Sequence, residues 1–313
     1  MSKERALIKR HSKIRYIAIL LLVLWLQTGF SQHLIINSGW QFSKDKTSWE
    51  TINIPHTWNA KDAFDDEPGY RRGLGFYKKQ IYFSNVQKDN IHYLKFDGIN
   101  QEATVYVNGQ LVGDHKGGYT AFNFDISSFL NYGTYNLIEV TVDNSYNEDI
   151  PPLDADFTFY GGIYRDVELI SLPKQHFSLN DFASDGFYVN YINVSKAEAT
   201  LEIEALLKND ANEDKNAFLD IQLFDENGKA VQSHTEKLKL PAEASNKYVI
   251  NLPKIYGPHL WSPDHPYLYT LKLSLSENGI LLDTKTGHVG FRWLKIDPEK
   301  GLFLNGRPLK LIG

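Results

Sequence analysis

The side chains that do chemistry are sparse in this chain, and several kinds are missing. There is no cysteine, which removes thiol nucleophiles, disulfides and thiolate metal ligands together. His56, in Ile54-Pro-His-Thr-Trp58, keeps no company with a serine and an acid in a triad, so it reads as a packed or surface imidazole. Asp62, Asp65, Asp66 and Glu67 offer enough oxygens for Ca²⁺ but lack the spacing of a calcium loop; a solvated loop is the simpler reading. Gly117-Gly118 and Gly161-Gly162 precede neither a helix nor a Lys-Ser/Thr signature, so they mark close-approach turns rather than a phosphate cradle. Arg165 and Asp166 read as a structural ion pair or as strand-end contacts. No metal or cofactor site is expected. On residue type alone, Asp156, shortly after Pro151-Pro152, is a turn carboxylate, and Thr57 is an ordinary strand residue.

The elements that must position these groups are strands. Tyr93–Gly98 and Ala103–Val107 alternate in the period of two that half-buried strands require. Asn-Gly recurs at 108–109, 227–228, 278–279 and 305–306, each time between apolar stretches. Both residue types tolerate the positive φ of two-residue hairpin turns, so the repetition implies antiparallel sheet. Long stretches of helical period are missing, and aromatics reach 13%, a share that suits pleated faces. Most of those rings, Trp58 and Tyr160 among them, are expected in the core rather than on a pocket rim.

With 313 residues the chain holds two ordinary domains. Residues 1–31 read as a signal peptide: Lys3, Arg5, Lys9, Arg10, Lys13 and Arg15, then the apolar run 16–26, then Gly29 and Ser31 around Phe30. The apolar run is too short for a comfortable membrane span of about 20 residues. Cleavage is expected near Ser31–Gln32, giving an exported, periplasmic or secreted protein with no membrane partner. Six basic residues and Glu4 give that segment +5; taking it from −5 leaves a mature charge of about −10. Such a surface argues against nucleic acid as a partner. The alternation suggests a jelly-roll sandwich over 32–173, an immunoglobulin-like sandwich over 174–294, and a third piece over 295–313 that begins as a hairpin leading into a strand.

Several segments, read in order, resemble the front half of family 2 glycoside hydrolases, the group of bacterial β-galactosidases and β-glucuronidases. They are Ile54–Trp58, Tyr70-Arg-Arg-Gly73 with Phe76-Tyr77, Phe96-Asp-Gly98, Val105-Tyr-Val-Asn-Gly109, Gly117–Phe122 and Asp156–Val167. Leu260-Trp-Ser-Pro-Asp-His-Pro-Tyr-Leu-Tyr-Thr-Leu271, Val289-Gly-Phe-Arg292 and Phe303-Leu-Asn-Gly-Arg-Pro308 continue the series. Each is weak alone; nine in family order are specific.

The resemblance implies a sugar-binding jelly roll, an immunoglobulin-like sandwich and then a (β/α)₈ barrel that carries an acid/base Glu and a nucleophile Glu. A retaining hydrolase needs that pair about 5 Å apart. A barrel needs about 250 residues, so 295–313 reads as the start of a truncated one, and no catalytic residue is assigned. The 313 residues by themselves are expected to be inactive, with the missing barrel as docking partner and exposed apolar surface, or self-association, where it would sit. The resemblance also implies that Asp156, six positions before Gly162 of Gly162-Ile-Tyr-Arg165, contacts the sugar. A carboxylate suits this because it accepts charge-assisted hydrogen bonds from two adjacent hydroxyls. β-Galactosidases of the family often carry Asn just before the Trp of the Pro-x-x-Trp segment. Thr57 stands there instead, which weakens galactose as the sugar while leaving Thr57 a substrate-binding candidate. The expected function is hydrolysis of O-glycosidic bonds in oligo- or polysaccharides, β-galactosidase-like, with β-glucuronidase specificity as the alternative. A stand-alone carbohydrate-binding module and a cell-surface scaffold remain open beside it.

Overall fold

The computed structural model describes residues 31–64, 69–153 and 157–311. The signal-peptide reading of the first thirty residues, three of the four loop acids (Asp65, Asp66, Glu67), and Asp156 lie outside the described residues.

Ten strands build the first sandwich: β1 (Gln32–Ile35), β2 (Trp40–Ser43), β3 (Glu50–Ile52), β4 (Leu74–Phe83), β5 (Ile91–Phe96), β6 (Glu102–Val107), β7 (Gln110–Lys116), β8 (Phe122–Asp125), β9 (Thr134–Asp143) and β10 (Val167–Leu172). They form a four-stranded sheet, β1-β10-β5-β8, and a six-stranded sheet, β3-β2-β4-β9-β6-β7. Alternation decides which face is buried. Ala103, Val105 and Val107 of β6 and Ile138, Val140 and Val142 of β9 point inward, meeting Leu94, Phe96, Val167 and Leu169 from the opposite sheet. Each fully buried side chain of this size contributes about 1.5–3 kcal/mol.

The second sandwich follows across Pro173 and Lys174 with β11 (Gln175–Phe177), β12 (Phe187–Val194), β13 (Glu198–Asn209), β14 (Lys215–Phe224), β15 (Ala230–Leu240), β16 (Ala244–Asn251), β17 (Ile255–Tyr256), β18 (Tyr269–Glu277) and β19 (Ile280–Val289). In one sheet β13 pairs β11, β12, β16 and β17; the other runs β15-β14-β18-β19. Leu201, Ile203 and Leu207 of β13 face Leu219, Ile221 and Leu223 of β14 and Leu271, Leu273 and Leu275 of β18. A three-stranded sheet closes the chain: β20 (Leu294–Asp297), β21 (Gly301–Leu304) and β22 (Arg307–Pro308). Asn305 ties it to the second sandwich, donating to the Trp261 carbonyl at 2.9 Å and accepting from Trp293 N–H at 3.1 Å. The fold is therefore all-β, jelly roll followed by immunoglobulin-like sandwich; among the described residues the only helical turns are three short 3₁₀ segments.

Three of the four Asn-Gly turns are two-residue turns with both φ positive: Asn108 (53°) and Gly109 (77°), Asn278 (50°) and Gly279 (78°), Asn305 (52°) and Gly306 (78°). The fourth differs. Only Gly228 is left-handed there (77°), in a five-residue loop whose Asp225 carboxylate accepts from Asn227 N–H at 3.0 Å and Lys229 N–H at 2.9 Å. The Asp225 side chain takes over the turn, a competing local hydrogen-bond pattern that Asp favours.

The two sandwiches meet along the outer face of the four-stranded sheet. Tyr93, Ile170 and Leu172 pack there with Leu179 in a small cluster of their own. Beside it lies a polar seam. Phe177 N–H donates to Asp283 at 3.0 Å, Lys208 pairs with Asp210 at 2.7 Å, and His176, fully buried, donates its Nδ1–H to the Pro173 carbonyl at 2.8 Å.

Candidate functional site

The long connection from β9 to β10 carries the Gly161–Arg165 motif, and its second half is fastened by three buried asparagines. Asn59 Oδ1 accepts from Gly161 N–H at 2.7 Å. Asn100 donates to the Tyr160 carbonyl at 2.7 Å, and its backbone exchanges two hydrogen bonds with Gly162. Asn144 donates to the Phe159 carbonyl at 3.0 Å and accepts from Gly73 N–H at 2.8 Å. A loop cannot satisfy its own buried backbone groups, so side-chain amides, each with donor and acceptor, do it here.

Trp58 packs against this clamp. Its ring is buried, stacks 5.8 Å from Phe42 at an interplanar angle of 13°, and donates its N–H to the Arg71 carbonyl at 3.3 Å. Glycines make the slot: a Cβ on Gly161 would lie 2.0 Å from Trp58 Cζ2, and one on Gly75 2.2 Å from Cζ3. Trp58 is thus a core residue, while Tyr160, half-exposed at 50%, is left on the surface with Phe157 at 51%.

Thr57 spends its hydroxyl on the fold. It donates to the Gly161 carbonyl at 2.8 Å and accepts from Asn59 N–H at 3.1 Å. His56 lies 2.8 Å, Nδ1 to hydroxyl, from Tyr77. Burial pushes the imidazole below its ordinary 6.5 and the phenol well above its ordinary 10.0, so both are neutral at pH 7 and the pair is structural. Arg165 and Asp166 form no ion pair with each other. Asp166 accepts from Asn37 at 2.8 Å and Arg165 lies over the Tyr164 ring at 5.6 Å, because their side chains leave the strand end in different directions. Strand-end contact is the role they have.

Two cations cover the buried rings beneath them. Arg72 covers the Phe159 ring at 4.9 Å and donates to the Tyr70 hydroxyl. Arg71 lies 5.2 Å from the Trp58 ring and donates to the Leu74 carbonyl at 2.5 Å, while its Nη1 is buried without a partner. Asp62 accepts from Asn59 at 2.6 Å and from Arg71 N–H at 2.8 Å. It is a strut, and among the described residues no three His, Asp or Glu side chains gather to hold a metal ion. The clamp residues Asn59, Asn100 and Asn144 carry no signal in the sequence, since an asparagine in a loop gives no hint of burial. Asn59 alone was adjacent to a recognised motif.

A jelly roll followed by an immunoglobulin-like sandwich is the domain order that the resemblance to family 2 glycoside hydrolases implies. The chain belongs to family 2 of the glycosyl hydrolases: residues 21–173 match its sugar-binding domain and residues 185–292 match the family's following domain. A putative β-glucuronidase of Formosa agariphila is 35% identical over 99% of this chain and 38% of its own length. A β-galactosidase of Thermoanaerobacter pseudethanolicus is 33% identical over 89% of this chain and 36% of its own. Among solved structures, a Bacteroides uniformis β-glucuronidase, covalently bound to cyclophellitol-6-carboxylate aziridine, superposes with a TM-score of 0.85 at 38% identity, over 90% of this chain and 35% of that one. The chain thus spans little more than a third of the length of these relatives.

Proposed function

We propose that the protein serves the hydrolysis of β-glycosides, its two sandwiches framing a sugar whose glycosidic bond is cut by a catalytic barrel. The observation that carries this reading is the asparagine clamp. It fixes the backbone from Phe159 to Gly162, which begins three residues after Asp156 in sequence. In the barrel, one carboxyl would protonate the leaving oxygen and a second, about 5 Å away, would trap the anomeric carbon. Leu294 and Ile296, exposed at 59% and 80% on β20, supply apolar surface for the barrel to cover, or for self-association where nothing covers it. Export follows from the basic head and apolar run of residues 1–31.

A β-glucuronide is the favoured substrate over a β-galactoside. Thr57 gives its one hydroxyl proton to Gly161 and accepts from Asn59, so the N–H donor that an Asn amide would offer galactose at this position has no replacement. The names of the relatives divide between the two activities: glucuronidases of Formosa agariphila and Bacteroides fragilis stand at 35% and 36%, a galactosidase at 33%, and two further glucuronidases at 31% and 29%. The test is turnover of nitrophenyl β-glucuronide and β-galactoside by the full gene product, with Asp156→Asn beside it. Loss of the carboxylate should cut kcat/KM by about 100-fold or more, the scale of losing a charge-assisted contact of about 3 kcal/mol. Unchanged kcat/KM in the variant overturns the role of Asp156, and galactoside turnover above glucuronide turnover overturns the sugar. The 313-residue chain should release no nitrophenol from either substrate.

A further inference from the structure

A second concave surface lies where the sandwiches meet. His115, Thr120, Ala121, Phe122 and Asn123 line it from the first sandwich, and Leu179, Asn180, Phe182 and Ala183 from the second, enclosing about 800 Å³. None of the clamp residues belongs to it. Crevices between domains are preferred places for ligands.

The loop that supplies Phe182 is rigid. Ser178 N–H donates to the Leu206 carbonyl at 2.8 Å and Leu206 N–H to the Gly186 carbonyl at 2.8 Å, so both ends are pinned to β13. Ser184 N–H donates to the Asp181 carbonyl at 2.9 Å, and the Tyr188 hydroxyl donates to the Asp181 carboxylate. Within it, Phe182 (φ 51°) and Ala183 (φ 54°) are both left-handed, a conformation that costs non-glycine residues energy and persists where the surrounding structure enforces it. What the loop holds out is a phenyl ring 90% exposed. Burial does not explain that ring.

We propose that this groove is a second carbohydrate-binding site, distinct from the end that carries the asparagine clamp, and that it takes an uncharged oligosaccharide. Phe182 supplies an apolar platform for the C–H face of a pyranose ring. Among the described residues Asn180 makes no side-chain hydrogen bond, which leaves its amide to give and accept, as paired sugar hydroxyls require. Asn123 donates to the Leu179 carbonyl at 2.8 Å, which fixes the amide and leaves its oxygen to accept. The Thr120 hydroxyl lies 3.4 Å from His115 Nε2, and the His115 ring is itself stacked on Phe122 at 4.0 Å. No Lys, Arg, Asp or Glu lines the groove, and burial holds His115 below its ordinary 6.5. Recognition must then proceed without ion pairing, which selects neutral sugars over uronic or sulfated ones. The inference is independent of the function proposed above.

The experiment is calorimetric titration of the 313-residue chain with gluco-, galacto- and xylo-oligosaccharides of four to six residues, and with an oligouronate. At least one neutral series should bind, and the oligouronate should not. Phe182→Ala and Asn180→Ala should each weaken that binding about tenfold, the equivalent of about 1.4 kcal/mol, while Phe182→Tyr retains it and Asp156→Asn leaves it unchanged. Because Phe182 and Asn180 are exposed, both variants should melt as the parent does. The proposal fails if no neutral oligosaccharide binds at millimolar concentration, or if Phe182→Ala binds as the parent does. It fails equally if Phe182→Ala instead lowers the molecular mass in light scattering, which would make the ring a contact between copies.

Discussion

At the scale of single residues, the site end of the first sandwich is shaped by what is absent from glycines. Trp58 occupies a slot whose walls are the Cα positions of Gly75 and Gly161, where a methyl group would approach the ring to 2.2 and 2.0 Å. Real side chains never come so close, so Gly161→Ala must displace the indole from the Phe42 stack. Overpacking of this kind costs about 1–3 kcal/mol. The cost should fall by about 1 kcal/mol or more in a Trp58→Leu background, because the smaller side chain vacates the space. Urea denaturation of the four proteins of that cycle measures the coupling; additive costs would mean that the ring is not held by Gly161. Thr57 belongs to the same device: its hydroxyl proton goes to the Gly161 carbonyl.

At the scale of elements, the hairpins are not equivalent although their turns share a dipeptide. Asn278 contributes only its tolerance of positive φ. Asn108 does more: its side chain donates to the Phe129 carbonyl at 2.9 Å and to Asn136 Oδ1 at 2.7 Å, and accepts from Leu137 N–H at 3.0 Å. The β6–β7 turn is thereby sewn to the edge of β9. Asn278→Ala should cost about 1–2 kcal/mol, the left-handed penalty alone. Asn108→Ala should cost at least about 1 kcal/mol more, since buried partners lose their hydrogen bonds as well. Equal shifts in the urea midpoint would contradict this. The same contrast governs Asn227, where an Asp225-centred loop replaced the expected two-residue turn.

At the scale of the whole molecule, the seam between the sandwiches concentrates buried charge. Asp210 and Lys208 from the end of β13, Asp283 from β19 and Tyr93 from β5 surround His176. Among the described residues His176 Nε2, Asp210 Oδ2 and Lys285 Nζ are buried without a hydrogen-bond partner, Asp210 Oδ2 lying 3.7 Å from His176 Nδ1. Desolvation holds the His176 pKa below 6.5, against Asp210 and Asp283, which pull it upward. The sign follows from linkage: below pH 6.5 the unfolded chain takes up a proton that the folded chain refuses. Stability is therefore complete above pH 6.5 and is lost as pH falls below it. His92 and His56, also lowered by burial, act in the same sense. Each contributes at most about 1.4 kcal/mol per pH unit. The urea midpoint should drop between pH 7.5 and 5.5, and His176→Gln should drop less steeply than the parent. A pH-independent parent, or an unchanged slope in the variant, would remove His176 from this account.

The sequence by itself determined the all-β architecture, because side chains that alternate in and out every second residue can bury one face only as strands, and Asn-Gly pairs close hairpins by their own φ preferences. It also carried the family, through short segments whose order no other fold would need. The fate of individual polar residues was decided only in three dimensions. Asn59, Asn100 and Asn144 come from separate elements and become one clamp when the loop from β9 to β10 folds over β4 and the segment before it. Arg165 and Asp166, neighbours in sequence just before β10, part company because one lies over Tyr164 and the other accepts from Asn37. The groove under Phe182 belongs to neither sandwich alone. Local preference is written in neighbouring residues, whereas burial and partnership depend on chain segments that meet only after the sheets have packed.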